Sequence, residues 1–350
     1  MATVDFPEFR PPWYLKNGLA MTLYVDQVGR RIGSNPLNLP PVPYQDHIFT
    51  GQGGVPLFGR WAAPAQAKGT IIATYGITGS VDNQWYLKLL GRKAYQRGYG
   101  VVLFDWRAHG KTAELSPTLT SDGIYEGDDY LALAAAAKAL GCPPPYWFMG
   151  YSLSGQLALW AAKAAMVLTA ESPLSPADLG GVAVLCPSLD PLRSLQYLMA
   201  HPTGRYLERA IARELNRLAQ RLYQAHPDHF DPAAIQRANS IWAFDHELVI
   251  PRLGFASVED YYAANSPLPF MADLTVPTLV LYAADDPLFA PEIVPDLEAI
   301  AQANPNLELI LTPYGGHVGY YSSAASRALA QDPDPWWAWN RILDWVEHGS

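Results

Sequence analysis

The most informative stretch of the chain is Tyr146-Trp147-Phe148-Met149-Gly150-Tyr151-Ser152-Leu153-Ser154-Gly155-Gln156. It begins with apolar residues typical of a buried strand, turns through small residues around Ser152, and leads into a helix-forming stretch at Leu157. A strand, a sharp turn with a serine at its apex and a helix are the pattern of a nucleophile elbow, whose strained backbone exposes the serine hydroxyl. The pattern predicts Ser152 as a nucleophile for acyl chemistry.

The turn departs from the usual pattern at one position. The common form is G-x-S-x-G, whereas this chain has Ser154 in the last position and Gly155 one residue later. Because serine is small, we expect a modest packing adjustment and an intact turn. Ser154 is a poor candidate nucleophile, since Gln156 would then occupy a position where bulk is not tolerated.

Composition favours a globular enzyme. Of 350 residues, 49% are hydrophobic and 16% are charged, which is enough for a large core and argues against disorder. The net charge of -9 predicts no general attraction to nucleic acid. Cys142 and Cys186 lack metal-ligand spacing, so we expect buried free thiols and no metal site.

Targeting signals are not evident in the sequence. Residues 1–15 combine acidic side chains with three prolines and have neither a basic start nor a continuous apolar run, unlike a signal peptide. We found no stretch of about 18 uninterrupted apolar residues that would suit a membrane span. The sequence therefore predicts a cytoplasmic protein without a membrane span.

Short apolar runs alternate with helical patterns along much of the chain. Such runs suit strands buried on both faces of a parallel sheet, and their alternation with helices indicates βαβ units. The predicted fold class is α/β, with an eight-stranded, mostly parallel, doubly wound sheet and helices on both faces. The predicted strands are an antiparallel edge hairpin at 46–50 and 57–62, followed by 70–75, 101–104, 146–149, 182–185, 278–282 and 307–311.

The alternation is interrupted between Pro187 and Pro277, where an amphipathic helix at 205–225 is the clearest element. A helical insertion after the sixth strand would lie above the carboxyl ends of the sheet, where open α/β folds bind ligands. We therefore predict four segments along the chain. They are an N-terminal arm at 1–45, the first part of the core at 46–190, a helical cap at 191–272 and the second part of the core at 273–350.

A serine nucleophile needs a histidine base and a carboxylate that orients the histidine. In hydrolase order the acid follows the seventh strand and the histidine follows the eighth. Asp285 and Asp286 follow the strand at 278–282, and His317 lies in a glycine-rich loop after the strand at 307–311. Because successive residues leaving a strand point in opposite directions, only one aspartate can face His317, and we favour Asp286 with Asp285 as the alternative.

Catalysis also requires hydrogen-bond donors for the oxyanion. In this fold one donor is the backbone N–H after the serine, here Leu153, and the other comes from the loop after the third strand. That loop contains Gly76 and Ile77, so we predict Ile77 as the second donor and Gly76 as a point of close approach to substrate.

Taken together, these motifs resemble the α/β-hydrolase superfamily, most closely the YheT-like hydrolases and their eukaryotic lipase relatives. The residues that carry the resemblance are Gly76-Ile77-Thr78-Gly79-Ser80 with Asn83-Gln84, the Ser152-Leu153 turn, Asp285-Asp286-Pro287 and Gly315-Gly316-His317-Val318-Gly319. A stretch containing Phe244-Asp245 and Asp260-Tyr261-Tyr262 is similar to one that precedes the seventh strand in that family. Many members have histidine where Tyr75 stands and glycine where Ser154 stands.

The resemblance implies hydrolysis of carboxylic esters of an acyl or lipid-like type, without a cofactor. We predict that the substrate contacts residues beside the elbow and in the cap: Tyr75, Gly76, His109, Tyr151, Trp242 and Phe244. His109 has a structural alternative, because the turn after the fourth strand also ties loops together. Arginines recur every fourth residue from Arg205 to Arg221, a stripe that would face water or contact lipid headgroups peripherally.

The sequence thus predicts a serine esterase or lipase with a Ser152-His317-Asp286 triad and a small-molecule ester substrate. Two alternatives remain open. An acyltransferase would use the same triad and pass the acyl group to an alcohol or thiol, and a hydrolase-like scaffold would bind a ligand without turnover.

Overall fold

The computed structural model describes residues 6–29, 31, 35 and 37–348. The predicted arm at 1–45 therefore lies partly outside the described residues. The core of the molecule is one eight-stranded sheet with the strand order β1-β2-β4-β3-β5-β6-β7-β8. The strands are β1 Gln45–Thr50, β2 Pro56–Ala62, β3 Thr70–Ala73, β4 Gly100–Phe104, β5 Tyr146–Tyr151, β6 Leu179–Leu185, β7 Thr278–Ala283 and β8 Leu307–Thr312.

The predicted sheet is confirmed, including the antiparallel hairpin at its edge. β2 is antiparallel to β1 and to β4, and the remaining neighbours are parallel. β3, β4, β5 and β7 are buried along their full length, as their continuous apolar runs require.

The strand order creates a crevice at the centre of the sheet. From β3 the chain crosses to β4 on one side and then returns to β5 on the other side. The carboxyl ends of β3 and β5 are therefore neighbours at the point where the direction of winding changes, which is where open α/β sheets bind ligands. The turn around Ser152 and the loop around Gly76 both begin at this point.

The predicted amphipathic helix at 205–225 lies within a longer helix, Pro202–Ala225. The helix after the serine turn begins at Leu153, four residues earlier than expected, because Ser152 itself is the residue that precedes the helix. None of the described helices is long and apolar enough to cross a bilayer. The helices are α1 Gly18–Val28, α2 Trp85–Gln96, α3 Thr112–Leu115, α4 Glu126–Ala139, α5 Leu153–Ala165, α6 Pro191–Ala200, α7 Pro202–Ala225, α8 Pro232–Arg237, α9 Ile241–Phe244, α10 Ile250–Leu253, α11 Val258–Asn265, α12 Ile293–Ala303, α13 Ala324–Ala330 and α14 Trp337–His348.

The chain between β6 and β7 is fully described and contains helices α6 to α11 without a strand. We call residues 191–272 the helical insertion. Its apolar side chains form a second core separate from that of the sheet, and this core also includes Ala108, Ala113 and Leu119 from the loop region after β4. The helical insertion is therefore anchored to the end of the sheet at which β4 terminates.

A buried ion pair joins the C-terminal helix to α2. The Lys93 ammonium on α2 donates to Asp334 and Asn340, and the side chains of Lys93 and Asp334 are 3% and 1% exposed. Asn340 lies on α14, whose tryptophans pack in the main core. These contacts connect α2 to the start of α14, and both charges are needed, because a buried charge without its partner is costly.

We predict that Lys93→Ala destabilises the protein by about 3–5 kcal/mol, because Asp334 would remain as a buried charge without its partner. Urea unfolding followed by circular dichroism measures this change. Lys138→Ala is a matched control, since Lys138 is about half exposed in its pair with Asp178 and such pairs contribute about 0–1 kcal/mol. Equal losses in the two variants would contradict a structural role for the buried pair.

Candidate active site

Ser152 stands at a strained turn between β5 and α5. Its backbone dihedrals are φ 56° and ψ -125°, a conformation that costs energy in a residue with a side chain. The Ser152 N–H donates to the Leu185 carbonyl at the end of β6 (3.0 Å), which ties the turn to the sheet. At Gly150 a Cβ atom would lie 1.9 Å from the Ser154 carbonyl oxygen, so the turn requires glycine there.

Ser154 takes part in this turn through hydrogen bonds. Its buried hydroxyl accepts from the Tyr151 N–H (2.8 Å) and lies within donor distance of the carbonyls of Thr74 (3.1 Å) and Tyr151 (3.0 Å). Thr74 follows β3, so the hydroxyl connects the turn to the neighbouring loop. A glycine at this position would pack closely but could not make these bonds.

His317 and Asp286 are in direct contact. His317 Nδ1 lies 2.8 Å from Asp286 Oδ2, and the Asp286 side chain is 2% exposed. The other carboxylate oxygen, Asp286 Oδ1, accepts from the Leu288 N–H (2.9 Å). Asp285 points elsewhere and accepts from the Gly316 N–H (2.8 Å). Of the two candidate acids, the structure therefore brings Asp286 to the histidine, whereas Asp285 shapes the loop that carries it.

Helix α1 braces the histidine loop, a contact that was missed at the sequence level. Thr22 Oγ1 accepts from the His317 N–H (2.8 Å) and donates to the Gly18 carbonyl (2.7 Å). At Gly316 a Cβ atom would lie 2.4 Å from the same carbonyl, so the loop and α1 are in close backbone contact. Thr22 and His317 are 295 residues apart, and no local pattern in the sequence points to such a pairing.

The predicted oxyanion donors lie beside the serine. Gly76 approaches the elbow so closely that a Cβ atom there would be 3.2 Å from Ser152 Cβ. Ile77 follows in the same loop, and Leu153 is the first residue of α5, where backbone N–H groups have no acceptor within the helix. Both residues line the same cavity as Ser152 and His317.

This cavity has a volume of about 520 Å³ and lies between the sheet and the helical insertion. Apolar side chains from α6, α7 and α9 form much of its wall: Leu195, Leu198, Ile211, Leu215, Leu218 and Phe244. Gly76, His109 and Phe244, three of the predicted substrate contacts, line it. Thr22 and Leu23 of α1 also line it, so the N-terminal segment contributes directly to the cavity wall.

The structure places the three other predicted substrate contacts outside the cavity lining. Tyr75 and Tyr151 are fully buried and do not line the cavity. The Tyr75 hydroxyl donates to Asp105 (2.5 Å), and the Tyr151 ring packs against Tyr86 with centroids 4.8 Å apart. Both follow apolar strand residues, and their side chains point into the core below the turn.

Trp242 is the third predicted substrate contact that lies outside the cavity lining. It is 40% exposed and stacks on His246 outside the cavity. Ile241 and Phe244, three positions apart on α9, line the cavity instead. Successive residues of a helix are separated by about 100° around its axis, so Trp242 points away from the face that Ile241 and Phe244 share.

His109 lies in the cavity wall as a neutral imidazole. Burial lowers the pKa of His109 to about 3, although its bond to the Arg107 carbonyl acts in the opposite direction. Nδ1 lies 2.8 Å from that carbonyl oxygen and must donate to it, which leaves Nε2 as an acceptor. Its ring stacks on Trp106 with centroids 3.7 Å apart.

One cluster of potential metal ligands occurs among the described residues, at Cys186, Asp286 and His317, whose donor atoms lie within 4.8 Å of one another. Burial raises the pKa of the Cys186 thiol well above its usual value, so the thiol stays protonated. Its sulfur contacts the Gly316 carbonyl and the Val318 N–H, both at 3.5 Å. A metal here would have to displace these contacts and the Asp286–His317 bond, so the residues present do not fit a metal site.

Comparison with known sequences gives a consistent family assignment. The family model described as alpha/beta hydrolase fold matches residues 69–324. The protein named "Putative esterase slr0264" of Synechocystis sp. is 53% identical over 353 residues, which cover 99% of this chain and 96% of that protein. "Putative esterase YheT" of Escherichia coli is 28% identical over 81% of this chain and 78% of its own length.

More distant matches include a eukaryotic phospholipase and a solved esterase. Phospholipase ABHD3 of Homo sapiens is 26% identical over 80% of this chain and 68% of its own length. The structure of the Pyrococcus furiosus esterase Pf2001 aligns over 99% of both chains with a TM-score of 0.55 and 17% identity, a likeness of fold alone. The predicted fold and the resemblance to YheT-like hydrolases and their lipase relatives are thus confirmed.

We predict that Thr22→Val destabilises the protein by about 1–3 kcal/mol, because the His317 N–H would lose its acceptor in a part-buried site. Urea unfolding measures the loss. Thr22→Ser retains the hydroxyl and should stay within about 1 kcal/mol of the native chain. If the two variants are equally stable, the hydrogen bond does not hold the histidine loop.

We also predict that His109 makes the stability of the folded protein sensitive to acid. Its pKa of about 3 lies below the usual value of about 6.5, so the unfolded chain binds a proton first as the pH falls. The stability contributed by the neutral ring is complete above about pH 6.5 and is lost towards pH 3. The free energy of unfolding should therefore drop less between pH 7 and pH 4 in His109→Phe than in the native chain.

Urea titrations at the two pH values give this comparison directly. His229→Phe, a change at an exposed histidine, should follow the native chain. A drop in His109→Phe as large as in the native chain would show that His109 is not held neutral by burial.

Proposed function

This chain is an esterase-like member of the α/β-hydrolase fold family, and we propose that it is a serine hydrolase that cleaves carboxylic esters through an acyl-enzyme intermediate. The observation that carries the proposal is the contact of His317 with Asp286 at the wall of the cavity that also contains the strained Ser152. A carboxylate on Nδ1 leaves Nε2 as the proton acceptor of the imidazole, which is the form that a general base requires.

The proposed reaction has two steps. Ser152 Oγ attacks the ester carbonyl carbon while His317 Nε2 takes the hydroxyl proton, and the N–H groups of Ile77 and Leu153 stabilise the oxyanion. Collapse of this intermediate releases the alcohol, which takes the proton from His317, and leaves the acyl group on Ser152. Water, deprotonated by His317, then attacks the acyl carbon, and the carboxylic acid leaves as Ser152 recovers its proton.

The size and wall of the cavity favour an ester substrate with a substantial apolar part. At about 30 Å³ for each small group, the volume corresponds to roughly 17 heavy atoms, enough for a medium acyl chain and a small alcohol. Its wall of leucines and Phe244 suits an acyl chain, in agreement with the resemblance to lipase relatives. We therefore propose acyl or lipid-type esters as the substrate class.

Labelling with a fluorophosphonate probe tests the nucleophile. The probe should add to the native protein at a single serine, detected as a mass increase of the intact chain, and Ser152→Ala should not be labelled. Ser188→Ala is the matched control, because Ser188 lines the same cavity and the change leaves intact its backbone N–H, which donates to the Ser152 carbonyl (3.2 Å). A native protein that stays unlabelled, or a label that persists in Ser152→Ala, would overturn the proposal.

The acid is tested by two isosteric changes at adjacent positions. Asp286→Asn should lower kcat about 10⁴-fold on a soluble ester, because an amide stabilises the wrong tautomer of His317 and not its charged form. Asp285→Asn should stay within about tenfold of the native rate, since an amide oxygen can still accept from the Gly316 N–H. The reverse order of effects would assign the acid to Asp285.

Product analysis separates hydrolysis from transfer. With an ester alone and with an added alcohol, the free acid should be the main product in both mixtures. A new ester as the main product in the second mixture would identify an acyltransferase.

A further inference from the structure

The ionisable groups in the cavity wall are strongly biased in sign. Four carboxylate residues, Asp26, Asp122, Glu214 and Asp245, line the cavity, and none of the described lining residues is lysine or arginine. Asp26 and Glu214 are exposed, and Glu214 forms an ion pair with Arg217, whereas Asp122 and Asp245 are buried. An apolar cavity lined by charges of one sign concentrates the field of those charges and selects ligands by their charge.

Asp122 comes from the loop between β4 and α4. It accepts from the Thr120 hydroxyl (3.1 Å) through Oδ1, and the Gln156 side-chain amide holds its backbone carbonyl (2.7 Å). Gln156 belongs to α5, one turn after Ser152, so the position of Asp122 is coupled to the serine turn. No ion pair of Asp122 with a lysine, arginine or histidine occurs among the described residues.

Asp245 comes from the helical insertion and lies close to Asp122. Its Oδ2 accepts from the Tyr262 hydroxyl, and Tyr262 also lines the cavity. Burial and then the charge of Asp122 raise the pKa of Asp245 well above its usual value, and burial raises the pKa of Asp122 to about 6. Two buried carboxyl groups from separate parts of the chain therefore line the same cavity, and the charge of one acts on the other.

His109 is a second, independent feature of this cavity that favours a hydrogen-bond donor in the ligand. The residue is 2% exposed, and its Nε2 atom is buried without a hydrogen-bond partner in the described part of the chain. A buried nitrogen acceptor without a donor costs free energy unless a ligand supplies the donor. The ring lies 6.4 Å from that of Tyr75, whose neighbour Gly76 touches Ser152, so His109 is close to the proposed reaction centre.

We propose that this cavity selects esters that carry a hydrogen-bond donor without negative charge, a hydroxyl or a protonated amine, and that Asp122, Asp245 and His109 bind this group. These three residues are the acceptor subsite. The inference rests on the proposed ester hydrolysis. Its physical basis is that a hydroxyl or ammonium group satisfies His109 Nε2 or the carboxyl pair. An anionic ester instead meets repulsion from the carboxylates and finds no lysine or arginine among the described lining residues.

Arg221 does not alter this conclusion. Its charge acts on His109 from α7, but the residue is exposed and does not line the cavity. An anionic substrate group in the cavity would therefore face carboxylates without direct contact to this guanidinium.

Two matched series of esters test the selection. In one, hexanoate esters have the alcohol parts propyl, 3-hydroxypropyl, 3-(dimethylammonio)propyl and 3-sulfopropyl. The other series consists of propyl hexanoate itself and of three derivatives that carry a hydroxyl, a dimethylammonio or a sulfonate group at the end of the acyl chain. In at least one series, kcat/KM should be at least about tenfold higher with a donor group than with the alkyl reference, and at least about tenfold lower with sulfonate. The hydroxyl and ammonium members show which donor is preferred.

Variants assign the selection to residues. The double variant Asp122→Asn/Asp245→Asn should close the gap between the sulfonate and alkyl esters to less than about threefold. His109→Phe, which keeps an aromatic ring against Trp106, should reduce the preference for the donor group. Asp273→Asn makes the same chemical change at an exposed position outside the cavity and should retain both gaps.

Fluorophosphonate labelling of the native protein distinguishes a failure of the acceptor subsite from a failure of the proposed hydrolase function. A labelled enzyme that hydrolyses all members of both series at similar rates, or that prefers sulfonate, overturns the acceptor subsite alone. The acceptor subsite is also overturned if the double variant keeps the native difference in kcat/KM between the sulfonate and alkyl esters. A native protein that is neither labelled nor active on any ester overturns the hydrolase function and the subsite with it. If the double variant does not fold, the native series and His109→Phe still decide.

Discussion

The strained backbone of Ser152 is the constraint on which the rest of the structure depends. A residue with a positive φ between a strand and a helix persists only when its surroundings hold it there. Here the Ser152 N–H is held by the end of β6, Gly150 leaves room for the first turn of α5, and the Ser154 hydroxyl links the turn to the loop after β3. Two neighbouring strands and one helix thus jointly determine where the serine hydroxyl lies.

The same end of the sheet collects the other groups of the proposed mechanism. β7 lies beside β6 and β8 lies beside β7, and the loops after β7 and β8 place Asp286 against His317. Helix α1 then supports the histidine loop through Thr22, although it belongs to the far end of the chain. Parallel strands end on the same edge, which explains how residues from five separate segments meet around one cavity.

The helical insertion adds selectivity to this arrangement. Its leucines and Phe244 make the wall apolar, whereas Asp245 places a buried carboxyl group in the same wall as Asp122 and His109. An apolar wall admits acyl chains of many kinds and distinguishes them weakly, because each methylene contributes little to discrimination. A buried acceptor without a partner among the described residues, as at His109 Nε2, discriminates more strongly, since a ligand without a donor leaves it unsatisfied.

The sequence by itself determined the sheet, because apolar runs of strand length with alternating helices permit few other folds. It also determined the candidates Ser152 and His317, whose positions relative to strand ends are local features of the chain. The choice between Asp285 and Asp286 rested on the direction in which each residue leaves β7, and the structure brings Asp286 to His317. The positions of residues relative to the predicted strands were therefore sufficient to predict the three residues of the proposed triad.

Only the tertiary structure decided which side chains face the cavity. Tyr75, Tyr151 and Trp242 are adjacent in sequence to lining residues but point into the core or to solvent. Thr22 and the Asp122–Asp245 pair join segments about 295 and 120 residues apart. Contacts at such separations depend on how loops and helices pack on the finished sheet, and packing leaves no periodic signal in one sequence.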